Sequence, residues 1–216
     1  MSEADNQQDD IEAGAGEGFA GILAERREKL ERLRAAGINP FPPSFPDRED
    51  IDDVLSAHEG LEAGAETEVI HRVAGRITGR RGHGKAAFID LRDATGQIQI
   101  HAKADVLGEA YGLLEDLDLG DFIGVEGRAI VTRRGQLSLE AKDWVVLTKS
   151  LRPPPDKFHG LEDTETRYRR RELDLIANEE SREIFRVRAR TVSEVRRWLD
   201  DHGFFEVETP VLQPLY

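Results

Sequence analysis

The stretch from Val73 to His101, VAGRITGRRGHGKAAFIDLRDATGQIQIH, constrains this chain more than any other segment. Apolar and polar residues alternate on either side of two glycine-rich turns, which is the period of half-buried strands. Four cations, Arg76, Arg80, Arg81 and Lys85, cluster about the first turn with no acid among them. Phe88 opens the second strand and Gln99 sits on the third. A cationic loop, an aromatic platform and an amide on one small sheet suit a splayed single-stranded nucleic acid. Charge tracks the phosphates, the ring stacks a base and the amide reads a base edge.

The net charge of -13 argues against a generic nucleic-acid coat. The acidity is uneven, however. Residues 1–25 hold seven acids and no Lys or Arg, whereas 69–150 hold eleven acids against twelve Lys and Arg. The strand-rich middle is therefore near neutral with a local basic cluster. The absence of cysteine excludes disulfides and Cys-ligated zinc. The six histidines are widely spaced and give no metal-ligand pattern. No apolar run approaches a membrane span and the N-terminus lacks a basic-then-apolar signal, so no membrane is expected and the reading is a cytoplasmic protein.

Residues 1–18 read as a disordered acidic tail. Residues 19–68 read as a helix, from about Phe19 to Ala36, followed by a proline-rich connector. Phe19, Ile22, Leu23, Leu30 and Leu33 give the helix a patchy apolar stripe, and Gly37 can end it. Its charged face is either solvated or, through Arg26, Arg27 and Lys29, an RNA contact. The connector NPFPPSFPD is kept extended by four prolines. Five strand candidates follow in 69–150: Val69–Thr78, Phe88–Leu91, Gln97–His101, Phe122–Thr132 and Leu137–Thr148. A helix candidate, Asp105–Leu117, lies after the third. This layout is that of a five-stranded OB-fold barrel, with TRRGQL as the last hairpin turn. LRPPPDKFHG in 151–163 is a stiff linker. From Thr164 the pattern turns helical. TRYRRRELDLIAN reads as one helix and SREIFRVRARTVSEVRRWLDDHG as another, starting at Asn178 or Ser181 and ended by Gly203. FFEVETPVL reads as a strand stopped by Pro210. The expected class is α+β, and 164–216 is expected to be the truncated start of a further domain.

The order of helix, barrel, LRPPPDKFHGLEDTETRYRRRELDLI and a long helix ending in GFFEVETPVL resembles the N-terminal part of class II lysyl-tRNA synthetases over about residues 22–216. The VAGR...GK..F..L and KFHGL...E.RYR.R..DL runs carry the likeness in combination. Phe185 to Leu212 is similar to motif one of class II synthetases. Aspartyl and asparaginyl enzymes share the barrel and motif one, and the LRPPPDKFHGL connector favours the lysyl enzyme.

The resemblance implies that Phe88 stacks on a central anticodon base and that Gln99 faces the neighbouring base. Arg81 would contact a base or the backbone from the loop between the first two strands. Ser138 and Glu140, on the last strand, are further anticodon candidates. It implies a homodimer contact through Phe204, Phe205, Val207 and Pro210. The parent enzyme would use lysine, ATP and Mg²⁺, through motifs two and three. Those motifs are not in this sequence, so no cofactor, metal or catalytic residue is assigned to it, and the 216-residue chain is expected to be inactive alone. One departure is Glu172, where the family usually has tyrosine.

Other readings compete. A stand-alone, non-enzymatic OB-fold RNA-binding module and an aspartyl-type synthetase fragment both fit the barrel. Phe88 can be a core residue, Gln99 a solvated one, and the cations at 76–85 an ordinary charged loop. Arg167, Arg169, Arg170 and Arg171 can form a solvated helix face, touch the tRNA body or line a domain interface. GHGK at 82–85 lacks the Walker spacing. His83 and His159 read as loop polar groups, and no nucleophile–base pair stands out.

Overall fold

The computed structural model describes residues 17–155, 161 and 163–210. Residues 1–16, 156–160, 162 and 211–216 lie outside the described set. The acidic-tail reading, much of the second connector and the last part of FFEVETPVL therefore fall largely on residues not described. The chain divides into two compact units, 1–153 and 154–216.

The first unit is built on five strands: β1 (Glu66–His83), β2 (Ala86–Arg92), β3 (Gln97–Lys103), β4 (Phe122–Val131) and β5 (Leu137–Thr148). They close into a barrel in the order β1-β2-β3-β5-β4. All neighbours are antiparallel except β3 and β5, whose parallel pairing completes the ring. Closure removes the free sheet edges that an open five-stranded sheet would leave. The fold is thus the OB barrel that the strand spacing predicts.

Alternation explains the packing. Ile77, Ile89, Leu91, Ile98, Ile100, Ile123, Val125, Leu139 and Val146 point inward and are almost wholly buried. Side chains between them, including Phe88, Asp90, Gln99 and His101, are left on the outside. Leu33, Ile51, Val54, Leu107, Leu114 and Leu117 extend the same core.

Helix α1 (Glu17–Ala35) ends in a Schellman turn. Gly37 takes φ +78, and the Ile38 amide reaches back to the Leu33 carbonyl. Part of the charged face of α1 is packed against the barrel rather than solvated. Arg26 is buried and donates to the carbonyls of Ser150 (2.8 Å) and Leu119 (3.0 Å). Lys29 pairs with Asp118 at 2.7 Å and Arg32 with Asp116. These positions recur about once per turn, so one basic stripe grips the acidic segment 116–121, while Arg27 stays exposed.

The proline-rich connector contains a short helix that the sequence reading misses, α2 (Ile51–Ala57). The adjacent Asp50 side chain does not cap it. Instead, the turn between β2 and β3 does. Asp93 accepts from the Ile51 amide (3.0 Å) and Thr95 from the Asp52 amide (3.1 Å). Asp105–Leu117 is not one α-helix. It is a four-residue helix α3 (Ala104–Leu107) and a 3-10 segment (Gly108–Asp116), broken where Gly108 adopts φ +58.

In the second unit TRYRRRELDLIAN forms two helices, α4 (Thr164–Arg169) and α5 (Arg171–Ala177), followed by α6 (Glu179–Asp201). Arg170, at φ -116 and ψ 57, breaks the first from the second. Around that break Arg167 and Arg171 both reach the wholly buried Asp174, at 2.9 and 2.6 Å. Burial alone would raise the Asp174 carboxyl, but hydrogen bonds from Asn178, Ser181 and Arg167 outweigh it and hold it at about 2. Arg169 pairs with Glu165, and Arg170 pairs with Glu172, the residue that departs from the family pattern. All four cations of 167–171 are thus engaged locally. Residues 204–210 form no strand, and no strand among the described residues pairs with them. Phe204, Phe205 and Val207 are exposed.

Candidate nucleic-acid interface

Register brings the candidate residues to one face. Arg81, Phe88, His101, Glu140 and Arg128 are successive Cα partners across β1, β2, β3, β5 and β4. The next rung runs Gly79, Asp90, Gln99, Ser138 and Ile130. Both rungs lie outside the barrel, so all five sequence-predicted residues share two adjacent rows.

Their exposure differs. Phe88 is half-buried and offers part of its ring. Arg81 is exposed and contacts Asp90 at 3.3 Å. It lies on β1, not in a loop as expected, because the strand runs on through the basic cluster as far as His83. Arg76 and Arg80 are bonded to backbone carbonyls beside this face. Arg76 donates to the Gly120 carbonyl (3.1 Å) and lies over the Phe122 ring, and Arg80 donates to the Leu117 carbonyl (3.0 Å). A register shift between Ile77 and Gly79 turns Arg80 to the side of Ile89, its Cα partner, whereas Arg76, the partner of Arg92 and Phe122, stays on the outer side and leans toward β4. The basic loop of the sequence reading is therefore split between structural and outward-facing cations.

Gln99, Ser138 and Glu140 are nearly closed off from solvent. The Ser138 hydroxyl lies 3.3 Å from both Gln99 Oε1 and the Gln136 carbonyl, and its single proton serves one of them at a time. When it serves Gln99 it holds the amide oxygen, and the amide nitrogen is the donor left over. Glu140 is held by Arg128 (2.7 Å) and Lys103. Burial works to raise the Glu140 carboxyl, yet hydrogen bonds from Lys103 and Arg128 outweigh it and keep it below its usual range. Glu140 is thus an ionised acceptor flanked by two cations.

The sequence reading misses His101, Lys103 and Arg128. His101 stacks on Phe88 with ring centroids 4.5 Å apart and planes 14° from parallel. The signal was the alternation of QIQIH, which puts His101 on the same face as Gln99, together with the β2–β3 register. Among the described residues no group of three or more His, Cys, Asp or Glu side chains is placed to hold a metal. No helix among them is long and apolar enough to cross a membrane.

Residues 71–147 match the family described as OB-fold nucleic acid binding domain. Residues 163–216 match tRNA synthetases class II (D, K and N). The chain is 47% identical over 199 residues to a lysine–tRNA ligase of Bacillus thuringiensis (strain Al Hakam), covering 89% of this chain and 39% of that relative. A lysine–tRNA ligase of Halalkalibacterium halodurans is 46% identical over 204 residues, covering 92% of this chain and 40% of the relative. The chain thus spans about two fifths of the length of the curated relatives it matches. With a synthetase-type barrel followed by a class II segment, and this identity across both, the chain belongs to the class II lysyl-tRNA synthetase family and corresponds to its N-terminal, anticodon-binding region.

Proposed function

We propose that this barrel binds the anticodon loop of a lysine-accepting tRNA, in the cytoplasm, and that the parent enzyme attaches lysine to that tRNA with ATP and Mg²⁺. The observation that carries the reading is the convergence of Arg81, Phe88, Gln99, Ser138 and Glu140 on two adjacent rungs of one outer face. Phe88 supplies the stacking surface for a central anticodon base. The Gln99 amide nitrogen, freed by Ser138, donates to the neighbouring base. Glu140 accepts from a base edge between Lys103 and Arg128. Arg81 contacts the backbone or a base beside Phe88. Ser138 acts by orienting Gln99.

No residue of this chain is assigned to ATP, lysine or Mg²⁺, and its own share of the reaction is recognition. Exposed apolar side chains along and beyond α6, Val187, Val195 and Trp198 with Phe204, Phe205 and Val207, favour a homodimer partner on that side of the second unit.

Fluorescence anisotropy with stem-loops tests the function. The lysine-tRNA anticodon stem-loop should bind tighter than the same loop with a permuted anticodon, and tighter than an aspartate-accepting loop, by roughly 5- to 150-fold. Equal affinity for all three would contradict anticodon reading. Preference for the aspartate loop would favour the aspartyl-type alternative.

A further inference from the structure

His101 has a role that its stacking alone does not explain. It stands between Phe88 and Glu140 on the same rung, as Cα partner to both. Its ring lies flat against Phe88 and is half-buried. Nδ1 is buried without a hydrogen-bond partner. A proton on Nδ1 would be a donor sealed from any acceptor, a rarer and costlier arrangement than an unused lone pair. Burial, reinforced by the nearby Lys103 charge and opposed by Glu140 and Asp105, lowers the imidazole below its ordinary value, so the ring is neutral at neutral pH. The neutral ring then carries its one proton on Nε2. That atom is not among the buried unpaired ones and meets no acceptor among the described residues. A donor is thus left at the edge of the aromatic platform, fixed in direction by the stack.

We propose that His101 is a specificity-determining residue of this face, its Nε2–H donating to one anticodon base next to the base that stacks on Phe88. Phe88 and His101 form a two-ring platform in which the first ring is sequence-tolerant and the second reads. The inference rests on the anticodon-binding function proposed above.

Two variants separate the ring from the donor. His101→Phe keeps a ring against Phe88 and loses the donor. His101→Gln keeps a donor and loses the ring. Both are measured against the lysine anticodon stem-loop and loops carrying each single anticodon substitution, with melting temperatures recorded in parallel. His101→Phe should bind the lysine loop about 2- to 13-fold more weakly, the worth of one net hydrogen bond. It should also lose discrimination at one anticodon position and keep it at the others. His101→Gln should bind more weakly than wild type but keep discrimination at that position. Wild-type affinity and discrimination in His101→Phe would overturn the proposal. So would an equal loss across every loop in both variants, which marks a packing role. A wild-type chain that binds all loops alike would instead overturn the anticodon reading itself, so the two failures are told apart.

Discussion

Lys149 and Asp121 face each other at 2.7 Å with neither side chain reaching solvent. Lys149 also bonds Asp118, which in turn accepts from Lys29 of α1. Asp121 accepts from the Ser150 amide at 2.7 Å and from the Asp118 amide at 2.8 Å. The network fastens the end of β5, the segment before β4 and the N-terminal helix at one end of the barrel. Removing one partner of a buried pair strands the other charge. Lys149→Ala should therefore destabilise the first unit by about 3–5 kcal/mol. Lys149→Met combined with Asp121→Asn should cost less than Lys149→Ala alone. Denaturant unfolding of the three proteins checks this, and a Lys149→Ala loss below about 1 kcal/mol would show that the pair is effectively solvated.

A second polar cluster makes stability depend on pH. His58 and His71 meet at 2.7 Å through their Nε2 atoms, and Glu49 sits 3.0 Å from His71 Nδ1. At that distance one nitrogen must accept while the other donates, so the two rings cannot both be doubly protonated without breaking the contact. Burial first, then the His71 neighbour, lowers the His58 imidazole, with Glu49 working against them. The unfolded chain therefore binds a proton at His58 more readily than the folded one. The contribution is present at neutral pH and fades as pH falls through the unfolded value near 6.5. Wild type should be less stable at pH 5.5 than at 7.5, and His58→Gln should show a shallower dependence. An unchanged slope in the variant would contradict the assignment.

Gly124 shows how the proline-rich connector is seated. A Cβ at Gly124 would lie 2.5 Å from the Phe45 ring, which is sandwiched against β4 beneath the Arg72 guanidinium. Gly124→Ala should cost about 1–3 kcal/mol through overpacking. In a Phe45→Ala background the same change should cost much less, since the colliding ring is gone. A double-mutant cycle with additive losses would contradict that contact.

The exposed apolar residues of the second unit bear on assembly. Phe205 is 92% exposed and Val207 73%. Side chains of this size left in water favour association. Light scattering at tens of micromolar should show the 216-residue chain self-associating, and Phe205→Glu with Val207→Glu should lower the apparent mass. A strictly monomeric wild-type chain would contradict the dimer proposal. The same chain should show no lysine-dependent exchange of pyrophosphate into ATP, and measurable exchange would mean that adenylating residues lie within it.

What could be read from sequence follows what is local. Ile98 and Ile100 alternate with Gln97, Gln99 and His101, so β3 and its outward face were legible from a few residues. Helix α2 was not, because its capping groups, Asp93 and Thr95, come from a distant turn. Arg76 and Arg80 read as part of a basic loop because alternation cannot show that the Gly120 and Leu117 carbonyls come within their reach. Lys29 likewise reads from sequence as solvated or as an RNA contact, and only the fold brings Asp118 beside it. His101 escaped because its importance lies in register: only the β2–β3 pairing brings it onto Phe88.

The central claim is that the outer face of β2 and β3 holds anticodon bases, and Phe88 is its most direct probe. Its side chain lies outside the core while its neighbours Ala87 and Ile89 fill it, so truncation should leave the barrel folded. Base–aromatic stacking contributes about 1–3 kcal/mol per base, which corresponds to roughly 5- to 150-fold in affinity. Titration of the lysine-tRNA anticodon stem-loop into wild type and Phe88→Ala should show a loss of that size with little change in melting temperature. Equal affinity of the two proteins for the stem-loop would contradict the account.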